Sequence, residues 1–213
     1  MKSSDYIVQF FADRGIKDFF GYQGTMIAHF ADAVERNAAV TNHCSYHEQG
    51  AAFASVGYAK ASGRCALAYA TSGPGAANLV SGIADAYFDS TPVVFITGQL
   101  NTYEYLNIEG VRQNGFQEMD VVATVGAITK YAVKVEDEND IRYILEKAWY
   151  IANEGRQGPV VIDLPMDMQR MDVEHSRMRG FDPSELPEEP AAKADTEAIA
   201  EDILKFVDRK SVV

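Results

Sequence analysis

Glu48 is the residue of this chain best placed to do chemistry. It follows a strand-like run that ends near Tyr46, and it directly precedes a helix of mostly small residues over 49–62. Because open α/β sheets bind ligands at the carboxyl ends of their strands, a carboxylate at this corner is positioned to hydrogen-bond a ligand. The helix dipole alone also favours an acid at a helix N-terminus, so Glu48 needs support from its neighbours before it counts as a site.

The helix after Glu48 carries almost no bulk. Its small residues are Gly50, Ala51, Ala52, Ala54, Ser55, Gly57, Ala59 and Ala61. Each glycine lowers intrinsic helix stability by about 1 kcal/mol relative to alanine. Close packing against another backbone offsets such a loss, so this helix predicts a tight interface and favours a dimer.

A glycine-containing turn at 71–75, Thr-Ser-Gly-Pro-Gly, lies between a predicted strand and a predicted helix. Glycines at such a junction allow a ligand to approach backbone N–H groups. In the dinucleotide fingerprint Gly-x-Gly-x-x-Gly, however, the third glycine is replaced here by Asn78, and the acid expected about 20 residues later is absent. A dinucleotide-binding oxidoreductase is therefore disfavoured, and no Gly-Lys-Ser/Thr marks a P-loop.

A metal site near Glu48 is also disfavoured. His43, Cys44, His47 and Glu48 are residue types that bind metals. Side chains of a strand alternate between its two faces, so 43 and 47 point one way whereas 44 and 48 point the other. We predict no metal ligands in this chain.

Strand and helix patterns alternate along 4–164, which predicts an α/β fold with a doubly wound, mostly parallel six-stranded sheet and helices on both faces. The predicted strands are 18–22, 40–46, 65–70, 92–97, 130–135 and 159–164, and the predicted helices are 4–14, 26–36, 49–62, a segment ending near 88, 118–125 and 138–154. The long polar segment 98–118 is predicted to be irregular. Loops of that length in a compact domain are usually functional or mobile.

Composition divides the chain further. Residues 1–171 are expected to form one domain, and 172–195, with its prolines and acids, is expected to be an extended linker. A helix that begins at Thr196 then predicts that 196–213 starts a middle domain, which the chain leaves incomplete.

The charge balance excludes two classes of partner. The chain has 213 residues and a net charge of −12, which argues against nucleic acid and against anionic membrane surfaces. No apolar run approaches the ~18 residues that span a bilayer. Two cysteines without a secretory signal fit a reducing compartment, so we expect a cytoplasmic protein.

Taken in order, the motifs resemble those of the N-terminal, pyrimidine-binding domain of thiamine-diphosphate enzymes, and most closely the acetolactate synthase group. The matching segments are 15–16, 20–22, 47–52, 57–59, 70–75, 78–80, 92–94, 96–99, 115–118, 128–130 and 158–165. Each is weak alone, but their order and spacing are specific. The resemblance covers about 5–170.

The resemblance implies a role for Glu48. Its carboxyl would hydrogen-bond N1′ of the cofactor's aminopyrimidine and favour the imino tautomer, whose exocyclic nitrogen removes the C2 proton of the thiazolium. It implies further that some residues bind the cofactor and others face the substrate side. The cofactor-binding set is Tyr22, Gln23, Glu48, Thr71, Pro74, Asn78 and Gln117, and the substrate-side set is Phe116, Gln117 and Lys130.

Two departures from the family pattern fall on the substrate side. The family has Gly-Tyr-Pro-Gly where this chain has Gly-Tyr-Gln-Gly at 21–24, and it has Asp-Ala where this chain has Asn-Gly at 114–115. A 2-oxo acid decarboxylase/carboligase that uses pyruvate is the first reading. A related carboligase that acts on a nucleotide-linked keto sugar in polysaccharide synthesis, and a non-catalytic binding or regulatory module of the same fold, remain alternatives.

The resemblance also implies that half of the site lies elsewhere. The Gly-Asp-Gly…Asn motif, which binds the diphosphate and Mg²⁺ in a C-terminal domain, is absent from this sequence. In the family the active site forms between that domain of one subunit and this domain of another, so a homodimer or tetramer is expected. We therefore expect the 213-residue chain to lack catalysis by itself. FAD, which many relatives bind through their middle domain, is left undecided.

Overall fold

Six short strands, each followed by a helical segment, pair into one parallel sheet in the order β2-β1-β3-β4-β6-β5. The strands are β1 (Asp18–Gly21), β2 (Thr41–Cys44), β3 (Ala66–Ala70), β4 (Val93–Gln99), β5 (Tyr131–Lys134) and β6 (Val160–Pro165). The structure, a computed structural model, describes residues 1–105, 108–187 and 196–210. Contacts divide the chain into two units, Met1–Pro183 and Ser184–Val213.

Eight α-helices occur in the described part of the chain. They are α1 (Ser3–Asp13), α2 (Ala28–Arg36), α3 (Glu48–Ser62), α4 (Pro74–Phe88), α5 (Val121–Val125), α6 (Ile141–Asn153), α7 (Met166–Arg170) and, in the second unit, α8 (Thr196–Lys210). All six predicted strands and the predicted helices are present, with boundaries shifted by a few residues. The short helix α7 was not predicted.

The sheet is covered on both faces, because alternate strand residues enter two separate cores. Tyr69 and Ile96 belong to a cluster with residues of α1, α2 and α6, such as Phe11. Ala68 and Phe95 belong to a cluster with residues of α3, α4 and α5. Strands β3, β4 and β6 are buried along their whole length. The predicted doubly wound α/β fold is confirmed.

The small residues of α3 serve two surfaces. Towards α4 they allow close packing, since a Cβ on Gly82 would lie 2.4 Å from the Cβ of Ala52. A Cβ on Gly50 or Gly57 would meet no atom within 4 Å. Part of the predicted close approach therefore occurs within the chain, and another part of the helix remains uncovered.

The predicted linker begins too early. Residues 172–183 belong to the first unit, and Val173 and Met178 are buried in the cluster that contains α1 and α6. Lys2 forms an antiparallel bridge with Asp172. The many acids and prolines of 172–195 led to the prediction of a linker, because only Val173 and Met178 pack into the core. Residues 188–195 and 211–213 lie outside the described part of the chain. Helix α8 agrees with the helix predicted from Thr196. A middle domain that begins there stays a prediction.

No helix among the described residues is both long enough and apolar enough to cross a membrane.

Candidate cofactor site

The topology brings three loops to one edge of the sheet. The chain leaves β1 to form β2 on one side and then returns to form β3 on the other. Because all strands are parallel, the loops after Gly21, Cys44 and Ala70 emerge at the same edge. This change of direction is the crevice where open α/β sheets bind ligands. The three loops carry the predicted site residues Tyr22, Glu48 and Thr71.

Glu48 is the first residue of α3 and is 9% exposed. His47 occupies the N-cap, where its Nδ1 accepts a hydrogen bond from the backbone N–H of Gln49 at 3.2 Å. This cap orients the start of the helix and hence the side chain of Glu48. The acid is thus held at the crevice by the local turn and does not extend into solvent.

The two carboxyl oxygens of Glu48 have different surroundings. Asn78, on α4, donates from Nδ2 to Oε2 at 2.9 Å. Oε1 accepts no hydrogen bond from the described residues, and a Cβ on Gly75 would lie 3.2 Å from it. One oxygen is therefore fixed by the protein, and the other lies against the backbone of Gly75 without a hydrogen-bond donor among the described residues.

Thr71 is enclosed between two glycines. A Cβ on Gly24 would lie 2.4 Å from its Cβ, and a Cβ on Gly75 would lie 2.7 Å from its Cγ2. The Oγ1 of Thr71 accepts a hydrogen bond from the backbone N–H of Met26 at 3.2 Å. Thr71 thus joins the loop after β1 to the start of α4, and a side chain at either glycine would displace it.

Gly73 brings the predicted substrate-side loop to the site. Its φ is +55°, and a Cβ there would lie 2.5 Å from the carbonyl oxygen of Gln117. Gln117 itself has a φ of +56°, a region that non-glycine residues rarely adopt. Pro74, the first residue of α4, follows directly. Phe116 is 69% exposed, so its ring lies on the surface beside this contact.

Tyr22 and Gln23 lie in the loop after β1, adjacent to Gly24 and therefore beside Thr71. Both are exposed. Gln23 borders a cavity of about 490 Å³ whose lining includes Thr25 and Asp32. The residue that departs from the family's Gly-Tyr-Pro-Gly thus faces an open space next to the site.

Lys130 is not brought together with these residues. It lies directly before β5, and because the strands are parallel its position is at the amino edge of the sheet, opposite the crevice. Its Nζ donates to the carbonyl oxygens of Ile151 and Glu154 at the end of α6. The predicted substrate-side role of Lys130 is corrected on this point: within the chain, its ammonium binds the end of a helix.

The residues considered for a metal have other partners. His43 Nε2 lies 2.7 Å from Oδ1 of Asp18, and His47 caps α3. No group of three metal-binding side chains occurs in the part of the chain that the structure describes.

The crevice residues fit the aminopyrimidine half of thiamine diphosphate. The Oε1 of Glu48, which has no hydrogen-bond donor among the described residues, and the buried Ser72 hydroxyl, which finds no partner among them either, suit a flat, polar heterocycle. The described residues near the crevice include no cluster of Lys or Arg for a diphosphate. The fit is therefore to one part of the cofactor.

Sequence reasoning missed a buried polar group beside this site. Asp163, in β6, is 1% exposed and accepts hydrogen bonds from Thr97 and Gln99. Burial raises the pKa of Asp163 to about 7, although these two hydrogen bonds act to lower it. The signal that could have identified it is a single acid within the apolar run at 160–164.

Comparison with known proteins agrees with this geometry. Residues 1–124 match the family model of the N-terminal TPP binding domain of thiamine pyrophosphate enzymes. Acetolactate synthase 1, chloroplastic, of Oryza sativa subsp. japonica is 42% identical over 169 residues, which cover 79% of this chain and 25% of the relative.

Two further relatives match over more of the chain. Probable acetolactate synthase 2, chloroplastic, of Oryza sativa subsp. japonica is 39% identical over 203 residues, 93% of this chain and 30% of the relative. Acetolactate synthase 2, chloroplastic, of Nicotiana tabacum is 37% identical over 211 residues, 97% of this chain and 30% of the relative. The chain thus spans about a quarter to a third of the length of these relatives. It belongs to the thiamine pyrophosphate enzyme family and carries that family's N-terminal, cofactor-binding domain.

Proposed function

We propose that the whole protein is a thiamine-diphosphate-dependent 2-oxo acid decarboxylase/carboligase of the acetolactate synthase kind, with pyruvate as its donor. The observation that carries this proposal is the arrangement of Glu48. Its buried carboxyl has Oε2 tied to Asn78, and its Oε1 faces Gly75. A carboxyl held in this way is suited to one directional contact with a ligand.

Each crevice residue has a defined task in this proposal. Oε1 of Glu48 would share a proton with the ring nitrogen N1′ of the pyrimidine, and Asn78 holds the carboxyl in the orientation that would permit this contact. Thr71 and Pro74 would border the ring. When bound, thiamine diphosphate supplies the electron sink for the carbon that loses CO₂. The chain itself supplies position and a proton site.

The diphosphate and Mg²⁺ are proposed to bind a C-terminal domain of a partner subunit. Support comes from the relatives, of whose length this chain matches 25–30%. A homodimer or tetramer then completes the site. The exposed surface beside Glu48 supports it, since Tyr46 is 100% and Phe53 45% exposed, and Gly50 leaves open space on the same helix.

A related carboligase that acts on a different acceptor is the alternative to an acetolactate synthase. Gln23 replaces the family's proline and borders a cavity of about 490 Å³. Space beside the pyrimidine pocket favours a larger acceptor, such as a nucleotide-linked keto sugar. Assays of the full-length protein with pyruvate against keto acids and nucleotide-linked keto sugars distinguish the two acceptor classes.

A cytoplasmic location is also proposed. Both cysteines, Cys44 and Cys65, are free, which suits a reducing compartment. The three relatives named above carry the designation chloroplastic, so fractionation of cells that express the protein is the relevant measurement.

The decisive test is Glu48→Gln in the full-length protein. The variant keeps the shape of the side chain but replaces its carboxyl group with an amide, which does not share a proton with a ring nitrogen. We therefore expect loss of carboligation with the fold retained. Glu174→Gln, an exchange at an exposed glutamate with an Arg177 partner, is the matched control and should keep activity. Full activity of the Glu48 variant would refute the proposed role.

A second test concerns the isolated chain. Calorimetric titration of the 213 residues with thiamine diphosphate and Mg²⁺ should give weak binding at best, because the proposed diphosphate site lies elsewhere. A tight signal would contradict the division of the site between subunits.

A further inference from the structure

Asp163 lies in the sheet next to the candidate site but takes no part in it. Its Oδ1 accepts from Oγ1 of Thr97 at 2.7 Å, and its Oδ2 accepts from Nε2 of Gln99 at 3.0 Å. Both donors are on β4, the strand paired with β6. The carboxyl is almost fully enclosed, so these donors replace the water that an exposed carboxyl would bind.

Gln99 connects this carboxyl to the chain beyond β4. Its Nε2 also donates to the carbonyl oxygen of Met119 at 2.9 Å. Its Oε1 accepts from the backbone N–H of Leu100 at 3.1 Å. The amide therefore uses both of its donor hydrogens and its oxygen, so the contact with Asp163 and the contact with Met119 depend on one orientation of one side chain.

Met119 ends a short, internally tied loop, 113–119, which we call the Gln117 loop. Oε2 of Glu118 accepts from the backbone N–H groups of Asn114 and Gly115 at 2.7 and 2.9 Å. A Cβ on Gly115 would lie 2.0 Å from Cδ1 of Leu100, which shows how closely the loop packs on the end of β4. Because the loop is tied to itself, a displacement at Met119 is transmitted to Gln117.

The Gln117 loop contacts the cofactor crevice through Gly73, as described above. We propose that Asp163 is a positioning residue for this site: through Gln99 it holds the Gln117 loop against the Gly73 turn, and it does so firmly only when its carboxyl is ionised. The proposal rests on the proposed function for its catalytic meaning. The holding of the loop itself involves no cofactor.

The dependence on charge follows from the cost of burial. A buried carboxylate that loses one of its two donors leaves an unsatisfied charge, which costs far more than an unsatisfied neutral acid. Opening the loop moves Met119 and frees Gln99 to turn away from Asp163. Ionised Asp163 therefore opposes the opening, and protonated Asp163 tolerates it.

The charged neighbours of Asp163 come from two elements. Lys134 on β5 lowers its pKa and Asp120, at the N-cap of α5, raises it, while burial is the largest influence and brings the pKa to about 7. Lys134 also pairs with Glu136 and covers the ring of Tyr105. The carboxyl changes charge near neutral pH, so the loop should be held above that pH and loosened below it.

Hydrogen–deuterium exchange of the full-length protein, without cofactor or substrate, tests the proposal. Exchange of peptides covering 113–121 is compared at about pH 6 and about pH 8 after correction for intrinsic rates. We expect protection to be about tenfold lower at the acidic pH, the size of one hydrogen bond to a charged group. Because no ligand is present, the outcome stands apart from the Glu48→Gln test: either can fail alone.

Three variants complete the experiment. Asp163→Asn should give low protection at both pH values, and Gln99→Met, which keeps the acid but removes its link to Met119, should do the same. Asp167→Asn is the matched control, because Asp167 is also a buried acid that accepts from a threonine, with Thr102 N and Oγ1 at 3.0 and 2.6 Å. It should keep the wild-type pH dependence.

The proposal is overturned by any of three results. These are pH-independent protection in the wild type, wild-type behaviour in Gln99→Met, and loss of the pH dependence in Asp167→Asn. The first needs no variant, so a failure of Asp163→Asn to fold would not remove the test.

Discussion

The stability of the chain should fall as pH rises through neutrality, and Asp163 should be the cause. Burial raises its pKa from 3.8 in the unfolded chain to about 7 in the folded one. Between these values the folded chain binds more protons than the unfolded chain, so the free energy of unfolding decreases as pH increases. This direction is opposite to that of a carboxyl group stabilised by an ion pair.

The size of the effect follows from the same two pKa values. Between about pH 5.5 and about pH 8, the folded group passes from protonated to ionised while the unfolded group stays ionised, which costs roughly 2 kcal/mol. Asp18 does not offset this change. The pKa of Asp18 is lowered chiefly by the hydrogen bond with His43. The stability that Asp18 contributes is therefore fully present above its unfolded pKa of 3.8, and it is constant between about pH 5.5 and about pH 8.

Urea unfolding of the chain, followed by the fluorescence of Trp149, measures this difference. Asp163→Asn is expected to be less stable than the wild type at about pH 5.5, because its amide nitrogen meets a donor, and its stability should fall much less between about pH 5.5 and about pH 8. Asp167→Asn should keep the wild-type slope. Equal wild-type stability at both pH values, or an unchanged slope in Asp163→Asn, would refute the reasoning.

The same carboxyl therefore has two effects of opposite sign. Raising the pH weakens the chain against global unfolding, whereas it strengthens the local hold on the Gln117 loop. A general loss of order at acidic pH would lower both the global stability and the protection of the loop. It would therefore not produce two trends of opposite sign. Observing one trend without the other would show that Asp163 and the loop are not coupled through Gln99.

Three further outcomes follow from the site. Asn78→Ala in the full-length protein should lower kcat about tenfold to a hundredfold, because Glu48 loses the donor that orients it; an unchanged kcat in steady-state assays would argue against that orientation. Gly73→Ala should destabilise the chain by at least about 2 kcal/mol in urea unfolding, since its Cβ would meet a backbone carbonyl at 2.5 Å. A thiol reagent at neutral pH should modify Cys44 rapidly and Cys65 only on unfolding, since Cys44 is exposed whereas burial raises the pKa of Cys65 to about 12; equal rates in the folded chain would contradict this.

The fold could be predicted from sequence because its signals are local. The apolar run at 93–97 and the alternation of strands with helices determine a buried parallel sheet without knowledge of any long-range contact. Glu48 could be placed for the same reason: in a parallel sheet, a residue between a strand and its following helix lies at the carboxyl edge.

Other features depend on contacts between distant segments, and the sequence does not display these. The orientation of Glu48 requires Asn78, 30 residues away, and the hold on the Gln117 loop joins Asp163 to Gln99, 64 residues away. Lys130 was misplaced because a family motif gives a position in the chain and not a direction in space. The helix α7 was missed because five residues after a proline give too short a periodic pattern.

The pairing of Met1 with Val173 has a consequence for how this unit tolerates truncation. The backbone N–H of Val173 donates to the carbonyl oxygen of Met1 at 2.9 Å, and the N-terminal ammonium of Met1 donates to the carbonyl oxygen of Val173 at 3.2 Å. Lys2 forms an antiparallel bridge with Asp172. Residues 1–3 thus lie against 171–173, and the chain makes later contacts with the same unit through Met178 and Phe181. Because each of the two segments supplies backbone partners to the other, removal of residues 1–3 should loosen 171–173 as well.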